Sequence, residues 1–339
     1  MLTLDVAKID INSYRDLLKK YIDHQDESSL YGAEQMSKAF IKNHILPDEI
    51  VSLHIQSLME LYPSLSQDIQ NSMRFLLETM IYYGLAHQEY QALRENQLAL
   101  RSEISLAANV QTTLLKTDKP DIEGLDIGVI SMPAHQMNGD YYHFIKGKQD
   151  SLGIAVADVV GKGIPAALCM SMIKYSMDIL EEEAMMPAKI LKYLNRVVER
   201  NVDASMFITM FYAQYTPTDN LLRYASAGHE PGFFYCAQTD TFSEIETKGL
   251  VLGVLPDSAY PSYEQKINKG DMIILLTDGV TECRRGNEFI KREEVLDVIK
   301  QYMHLPAQDI VNHVYKYFER LQDFQLRDDF TLVILRREV

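Results

Sequence analysis

Four aspartates occur at the ends of four apolar, strand-like segments of this 339-residue chain. The segments are GDYYHF, IAVADVVGKGIPAAL, MIILLTDGVTE and LRDDFTLVIL, and the aspartates are Asp140, Asp158, Asp278 and Asp328. A carboxylate at the end of a hydrophobic strand is costly to desolvate unless it is paired or bound to a metal. Oxygen ligands with no His or Cys beside them suit Mg²⁺ or Mn²⁺ better than zinc. If the four strand ends converge, they form a carboxylate site for one or two divalent ions.

The alternative for each aspartate alone is a turn or capping residue, a position in which Asp is common. Four such residues, each at the end of a hydrophobic run, favour the metal site over four unrelated turns. The nine histidines show no zinc-binding spacing such as HExxH, which is consistent with an oxygen-ligand site.

Composition limits the other classes of function. The chain has a net charge of −15 and no basic cluster, which argues against a nucleic-acid-binding protein. No apolar run reaches the 18 or so residues that a membrane helix needs, and the N-terminus does not resemble a signal peptide. The three cysteines are far apart and predict reduced thiols. We therefore expect a cytoplasmic protein that contacts neither nucleic acid nor membrane.

Residues 1–83 are predicted to be helical throughout. Apolar residues recur at helical spacing, Asp26 is placed to cap a second helix, and Pro47 fits the first turn of a third. Four helices with short connections predict a small bundle. Its charged residues show no convergent chemistry, so the prediction is a regulatory interaction and dimerisation domain.

Residues 84–117 form a second segment, a linker helix with a heptad pattern. Seven residues, mostly apolar, follow one another at alternating steps of four and three, a spacing typical of a coiled coil. They are Leu93, Gln97, Leu100, Ile104, Ala107, Gln111 and Leu114. The two glutamines and the alanine make this seam weak. The sequence leaves two possibilities open, a parallel dimer linker or a helix that packs on its own domain.

Residues 118–339 are predicted to form an α+β domain. Strand-like segments rich in β-branched and aromatic residues begin at Leu125. Helical stretches are predicted at about 163–183, 187–202 and 291–322, the last broken near Pro306. Strand clusters that alternate with paired helices indicate two packed sheets flanked by helices, an αββα sandwich.

The ordered set of motifs GD, ADxxGKG, AGHEP, TDG and DDFT resembles the metal-dependent PPM-type protein serine/threonine phosphatases. It is most similar to their bacterial branch, typified by stage II sporulation protein E, over about residues 120–339. With its helical N-terminal module and its VDASMFITMFYA and CRRGNEF segments, the whole chain is similar to the members of that branch that switch on the general stress sigma factor.

The resemblance implies roles for individual residues. Asp158 would bridge two ions, Mn²⁺ or Mg²⁺, with the backbone carbonyl of Val159 as a further ligand. Asp278 and Asp328 would complete the shell of one ion, and Asp140 would hold a water on the metal. Two divalent ions about 4 Å apart activate a water and neutralise phosphate charge, so no protein nucleophile is needed.

Three further residues are expected to support these ligands. Asp329 would orient the metal ligands without binding the metals itself. Gly139 and Gly279 would let the backbone approach the metals without a Cβ clash.

Two departures from the family matter for catalysis. Val160 stands where the animal enzymes have a His proposed as general acid, so the leaving group must be protonated by another group. The segment PAHQMNGD contains His135 but lacks the phosphate-gripping Arg of those enzymes. The metal mechanism remains intact, and the departures imply a slow intrinsic rate that needs activation.

The implied substrate is a phosphorylated anti-anti-sigma factor, and the implied activator is a switch kinase that binds the N-terminal helices. A homodimer through residues 1–117 completes the expected assembly. Two alternatives remain open: a non-catalytic phosphoprotein-binding scaffold with the same fold, and a metal-dependent hydrolase of small phosphate esters.

Overall fold

The computed structural model describes residues 11–161, 163–179, 186–203, 206–245, 247–286 and 288–338. The chain divides into two compact units, Met1–Leu100 and Arg101–Val339. Each unit is described by itself below. No helix in the described ranges is both long enough and apolar enough to cross a membrane.

The first unit is helical, as predicted for residues 11–83; the first ten residues of the predicted module lie outside the described ranges. Its helices are α1 (Ile11–His24), α2 (Glu27–Lys42), α3 (Pro47–Leu61) and the first part of α4 (Gln67–Leu115). Asp26 caps α2 by accepting a hydrogen bond from the Ser29 amide at 2.9 Å. Phe40 and Leu53 are buried in this small core.

Helix α4 is a single helix of 49 residues. The predicted boundary between the helical domain and the linker helix, at residues 83 and 84, lies inside α4, which continues through Gly84. A glycine inside a helix costs only about 1 kcal/mol, which the neighbouring residues of a long helix offset. The boundary between the two compact units falls inside α4.

The second unit contains two antiparallel sheets of five strands each within its described residues. The first has the order β1-β12-β9-β6-β7, and the second has the order β2-β3-β4-β5-β8. The strands of the first sheet are β1 (Leu125–Met132), β12 (Phe330–Arg337), β9 (Met272–Leu276), β6 (Phe233–Cys236) and β7 (Thr241–Glu244). Those of the second are β2 (Asp140–Lys146), β3 (Leu152–Val159), β4 (Ile208–Thr216), β5 (Leu221–Ala227) and β8 (Tyr263–Lys266). A separate short hairpin pairs β10 (Arg284–Arg285) with β11 (Glu288–Phe289).

Three layers of apolar side chains hold this unit together. The layer between the two sheets includes Ile154, Phe211 and Val333. Helices α5 (Ile164–Asp178) and α6 (Pro187–Asn201) cover the outer face of the second sheet. Helices α8 (Arg292–Tyr302) and α9 (Ala307–Leu321) cover the outer face of the first. The predicted αββα sandwich is therefore confirmed.

The helices begin where the sequence predicts. Pro187 starts α6, whose buried Ile190, Leu194 and Val198 repeat at helical spacing. Pro306 is the N-cap of α9 and separates it from α8. Because both faces of the central strands are covered, β9 is buried along its whole length.

Candidate metal centre

The second sheet brings two of the predicted aspartates side by side. Asp140 is the first residue of β2 and Asp158 is the penultimate residue of β3, and the two are directly paired across the antiparallel ladder. The amide of Val159 donates to the carbonyl of Gly139 at 3.2 Å, which extends the pairing past Asp140. The ends of β2 and β3 therefore present two carboxylates at one edge of the sheet.

The first sheet supplies the other predicted aspartates from β9 and β12. Asp278 begins α7 (Asp278–Thr281), the short helix that follows β9, and Asp328 and Asp329 immediately precede β12. The Asp329 amide donates to Oδ1 of Asp328 at 3.1 Å. Since β9 and β12 are neighbours in the sheet, their ends place these carboxylates close together.

Asp329 and Thr277 connect the two sheets at this edge. Oδ1 of Asp329 accepts from the Ala134 amide at 2.7 Å, and its Oδ2 accepts from the Gly139 amide. The Thr277 hydroxyl donates to Oδ2 of Asp140 at 2.6 Å. The residue before Asp278 and the residue after Asp328 thus both bond to the 139–140 turn. All four predicted aspartates consequently lie in one region.

Gly279 is required by a close approach of the backbone. A Cβ at this position would lie 1.9 Å from the carbonyl oxygen of Asp329, which no side chain tolerates. At Gly139 the contact is less severe, because a Cβ would lie 3.2 Å from Oδ2 of Asp329. The glycines let the turns that carry Asp278 and Asp140 pack against the segment that carries Asp329.

The carboxylates of this region repel one another and are poorly solvated. Burial raises the pKa of Asp140 well above its usual value, and the charges of Asp158 and Asp329 raise it further. Burial also raises the pKa of Asp278, with added repulsion from Asp328 and Glu282. A divalent cation is the partner that would relieve both the repulsion and the desolvation.

The donor set fits a hard divalent ion, since it consists of carboxylate and carbonyl oxygens. Within the described residues, however, no three His, Cys, Asp or Glu side chains already lie together as a preformed metal site. The side chains must rotate to close around an ion. The argument for a divalent-ion site therefore rests on the types of these residues and on their positions at neighbouring strand ends.

The histidine of the AGHEP motif has a structural role. His229 is 6% exposed, and its Nδ1 is 2.9 Å from the Thr209 hydroxyl. Thr209 is the register partner of Asp158 on β4. Burial lowers the pKa of His229 to about 4, so the ring is neutral at physiological pH. Val160 and His135, the two departures from the family pattern, are both exposed.

A cleft that carries two arginines as well as carboxylates, Glu282 among them, adjoins Asp328. Its volume is about 230 Å³, and Arg284 and Arg327 line it together with Gly279 and Asp328. The Arg284 guanidinium lies over the ring of Phe289, 4.1 Å from its centroid. The cleft therefore places the positive charges of Arg284 and Arg327 beside an acidic centre, in a chain whose net charge is −15.

Four residues at this centre escaped the sequence analysis. Thr277 is the first residue of the TDG motif and Asn138 lies one residue before the GD motif, so their places in or next to the motifs could have indicated them. Arg284 and Arg327 are ordinary surface cations in the sequence, and only the fold brings them into one cleft.

Comparison with known proteins agrees with this architecture. Residues 148–338 match the family model of stage II sporulation protein E (SpoIIE), and residues 12–86 match that of the N-terminal domain of phosphoserine phosphatase RsbU. Phosphoserine phosphatase RsbU of Bacillus subtilis (strain 168) is 54% identical over 336 residues, covering 99% of this chain and 100% of the relative.

Two solved structures share the fold. The SiaA-PP2C domain of Pseudomonas aeruginosa superposes with a TM-score of 0.61 at 18% identity, covering 71% of this chain and 98% of that domain. The RsbU and RsbW domains of a Mycobacterium tuberculosis protein superpose with a TM-score of 0.55 at 23% identity, covering 66% of this chain and 62% of that one. With a family model matching more than half of its length and a full-length relative 54% identical, the chain belongs to the stage II sporulation protein E family and, within it, to the RsbU phosphatases.

Proposed function

We propose that this protein is a metal-dependent phosphoserine phosphatase that dephosphorylates an RsbV-like anti-anti-sigma factor when an RsbT-like switch kinase activates it. The reaction would release the anti-anti-sigma factor from inhibition and so turn on the general stress sigma factor. The observation that carries the catalytic part is the convergence of Asp140, Asp158, Asp278 and Asp328 from four strand ends of two sheets.

Two Mn²⁺ or Mg²⁺ ions would be held by the carboxylates of Asp158, Asp278 and Asp328, by the Val159 carbonyl and, through water, by Asp140. When bound, the ions supply an activated water and neutralise the charge of the phosphate. Asp329, which bonds to the Gly139 and Ala134 amides, would hold the ligand-bearing turns in place.

The chain's own side chains would bind and orient the substrate. The cleft beside Asp328 is open, and its two arginines suit the phosphate or the acidic flank of a phosphorylated segment. No imidazole is available at position 160, because the residue is Val160. The leaving serine oxygen would take its proton from solvent, which limits the intrinsic rate and leaves room for activation.

The N-terminal unit would bind the activator. Residues 1–83 carry no catalytic cluster in their described part, and they precede the linker helix of residues 84–117. Three seam residues of α4, Leu93, Leu100 and Leu114, are between 51% and 58% exposed in the single chain. A second copy of the chain would cover such a stripe, which supports a homodimer through residues 1–117. We place the protein in the cytoplasm, where a sigma factor meets the transcription machinery.

The test is phosphate release from a phosphoserine anti-anti-sigma protein with Mn²⁺, with and without the candidate switch kinase. We expect slow basal turnover, strong stimulation by the kinase, and no turnover in excess chelator. A free nucleotide and a small aryl phosphate serve as competing substrates. Faster hydrolysis of these esters would indicate a small-molecule phosphatase, and binding of the phosphoprotein without turnover would indicate a scaffold.

A further inference from the structure

Gln111, near the C-terminal end of α4, contacts the turn that carries Asp140. The heptad pattern includes this glutamine and left open a dimer seam or packing on its own domain. In the structure Gln111 is 5% exposed and lies against its own domain. Its Nε2 donates to the carbonyl of Asn138 at 2.6 Å, and its Oε1 accepts from the amide of Asn138 at 3.1 Å. The side-chain amide thus pairs with both backbone groups of one residue, as a neighbouring strand would.

The contact continues to the metal-site carboxylate. Oδ1 of Asn138 accepts from the Asp140 amide at 2.9 Å, and Nδ2 of Asn138 donates to the Ser131 hydroxyl at 3.0 Å. Ser131 in turn bonds to Thr331 of β12 at 2.9 Å. Gln111 therefore fixes the backbone of a residue whose side chain fixes Asp140.

The turn faces open space on the side of Gln111. A cavity of about 300 Å³ opens there, and Gln111, Leu115, Asn138 and Asp140 are among its lining residues. Beside an open cavity, two hydrogen bonds replace the side-chain packing that would otherwise hold a turn in place. Losing them leaves the turn with its bonds to Asp329 and Thr277 alone on the other side and creates no new void.

We propose that Gln111 is a positioning residue for the metal centre: it clamps the Asn138 backbone so that Asp140 faces Asp158 and the incoming ions. This inference rests on the proposed metal-dependent function and adds a residue of the linker helix to that centre. It also predicts that Gln111 is unavailable to a partner chain, unlike the exposed Gln97 at an equivalent heptad position.

The test uses the full-length chain with Gln111→Met, which keeps the side-chain length but makes neither hydrogen bond. Gln97→Met on the same helix is the matched control. Titration calorimetry of the metal-free proteins with MnCl₂ gives the affinity. We expect Gln111→Met to weaken Mn²⁺ binding about tenfold or more and Gln97→Met to leave it unchanged. Amide hydrogen exchange at residues 138–140 should become faster in Gln111→Met alone.

Kinetics separate positioning from substrate binding. We expect Gln111→Met to lower kcat at limiting Mn²⁺, to recover part of it in excess Mn²⁺, and to leave KM for the phosphoprotein unchanged. Gln111→Glu retains the acceptor for the Asn138 amide but loses the donor, so its Mn²⁺ affinity should be intermediate. If Gln111→Met does not fold, the Mn²⁺ affinity of Gln111→Glu tests the clamp instead.

Unchanged Mn²⁺ affinity and unchanged exchange at 138–140 in a folded Gln111 variant would overturn the clamp while leaving the proposed function standing. A wild-type protein that neither binds Mn²⁺ nor releases phosphate would overturn the proposed function, and the clamp with it.

Discussion

The Thr277 hydroxyl and the Asp140 carboxylate, which belong to different sheets, are joined by a hydrogen bond of 2.6 Å. Thr277 is itself held by the β12 backbone, because its hydroxyl accepts from the Thr331 amide at 3.1 Å. Asp140 begins β2 and Thr277 follows β9, so this hydroxyl joins the two sheet edges that carry the candidate ligands.

Replacing Thr277 with Val removes this hydroxyl at nearly constant volume. Asp140 then loses the donor that faces its Oδ2, and we expect Mn²⁺ affinity to fall about tenfold, because supporting hydrogen bonds orient metal ligands. Calorimetric titration with MnCl₂ measures the effect. Thr241→Val, on the exposed edge strand β7, is the control and should bind Mn²⁺ like the wild type. Equal affinity in the two variants would contradict this role for Thr277.

Asp158→Asn and Asp278→Asn should each lower phosphatase turnover by about 10³-fold or more, because each removes a charge that holds the ions. Phosphate release at saturating Mn²⁺ measures the loss, and circular dichroism checks the fold. Excess chelator should likewise stop the wild type without unfolding it, since the three core layers are apolar. A folded variant with near wild-type turnover would refute the ligand assignment.

His229 should make the protein sensitive to acid. Its pKa of about 4 in the folded state lies below the value of about 6.5 in the unfolded chain, so the unfolded state binds the proton more tightly. The stabilisation is complete above about pH 6.5 and is lost as the pH falls towards 4, by up to about 3 kcal/mol.

Urea unfolding of wild type and His229→Asn between pH 7.5 and 4.5 measures this dependence. We expect the variant to lose less stability than the wild type over that range. His135→Asn, at an exposed position, should follow the wild-type curve. Parallel curves for wild type and His229→Asn would mean that the buried imidazole does not set the acid limit.

Arg284→Ala and Arg327→Ala should each raise KM for the phosphoprotein about five- to tenfold, because each removes a charge-assisted contact to an anionic segment. Arg285→Ala is the matched control, since Arg285 pairs with Glu294 and does not line the cleft. Steady-state kinetics at saturating Mn²⁺ give both constants. If Arg285→Ala raised KM as much as the other two, the effect would reflect general charge rather than this cleft.

The exposed part of the α4 seam should control activation. Gln97→Leu adds an apolar residue between Leu93 and Leu100, so we expect stronger dimerisation and a higher rate without the activator. Leu100→Asp should weaken the dimer and abolish stimulation while sparing the basal rate. Analytical ultracentrifugation and activator-free phosphate release across this pair measure the relationship. Rates that do not follow dimer stability would exclude the linker as the regulatory element.

The sequence predicted the sandwich and the region of the site because both depend on local patterns. Buried strands are continuous apolar runs, and a carboxylate that follows such a run is conspicuous. Antiparallel pairing then places Asp140 beside Asp158. The order of the motifs along the chain indicated the phosphatase family, which no single motif could do.

The role of Gln111 could not be predicted, because heptad spacing shows which residues share a helix face but not what covers that face. Leu100 and Gln111 both belong to the heptad seam, yet Leu100 is 57% exposed and Gln111 is 5% exposed. For a related reason the sequence could not show that α4 is one helix through Gly84: a glycine marks a weak point in a helix but does not by itself end one. The cleft beside Asp328 depends on residues 43 positions apart, Arg284 and Arg327, which only the tertiary fold brings together.

Cys283, whose thiol bonds to the residue after Asp278, is chemically protected. Cys283 is 1% exposed, its Sγ donates to the Gly279 carbonyl at 3.2 Å, and burial raises its pKa to about 12. Peroxides attack thiolates that solvent can reach, and Cys283 offers neither the ionised form nor access. Under the proposed metal mechanism, oxidation of Cys283 would therefore not be a route by which the candidate centre loses activity.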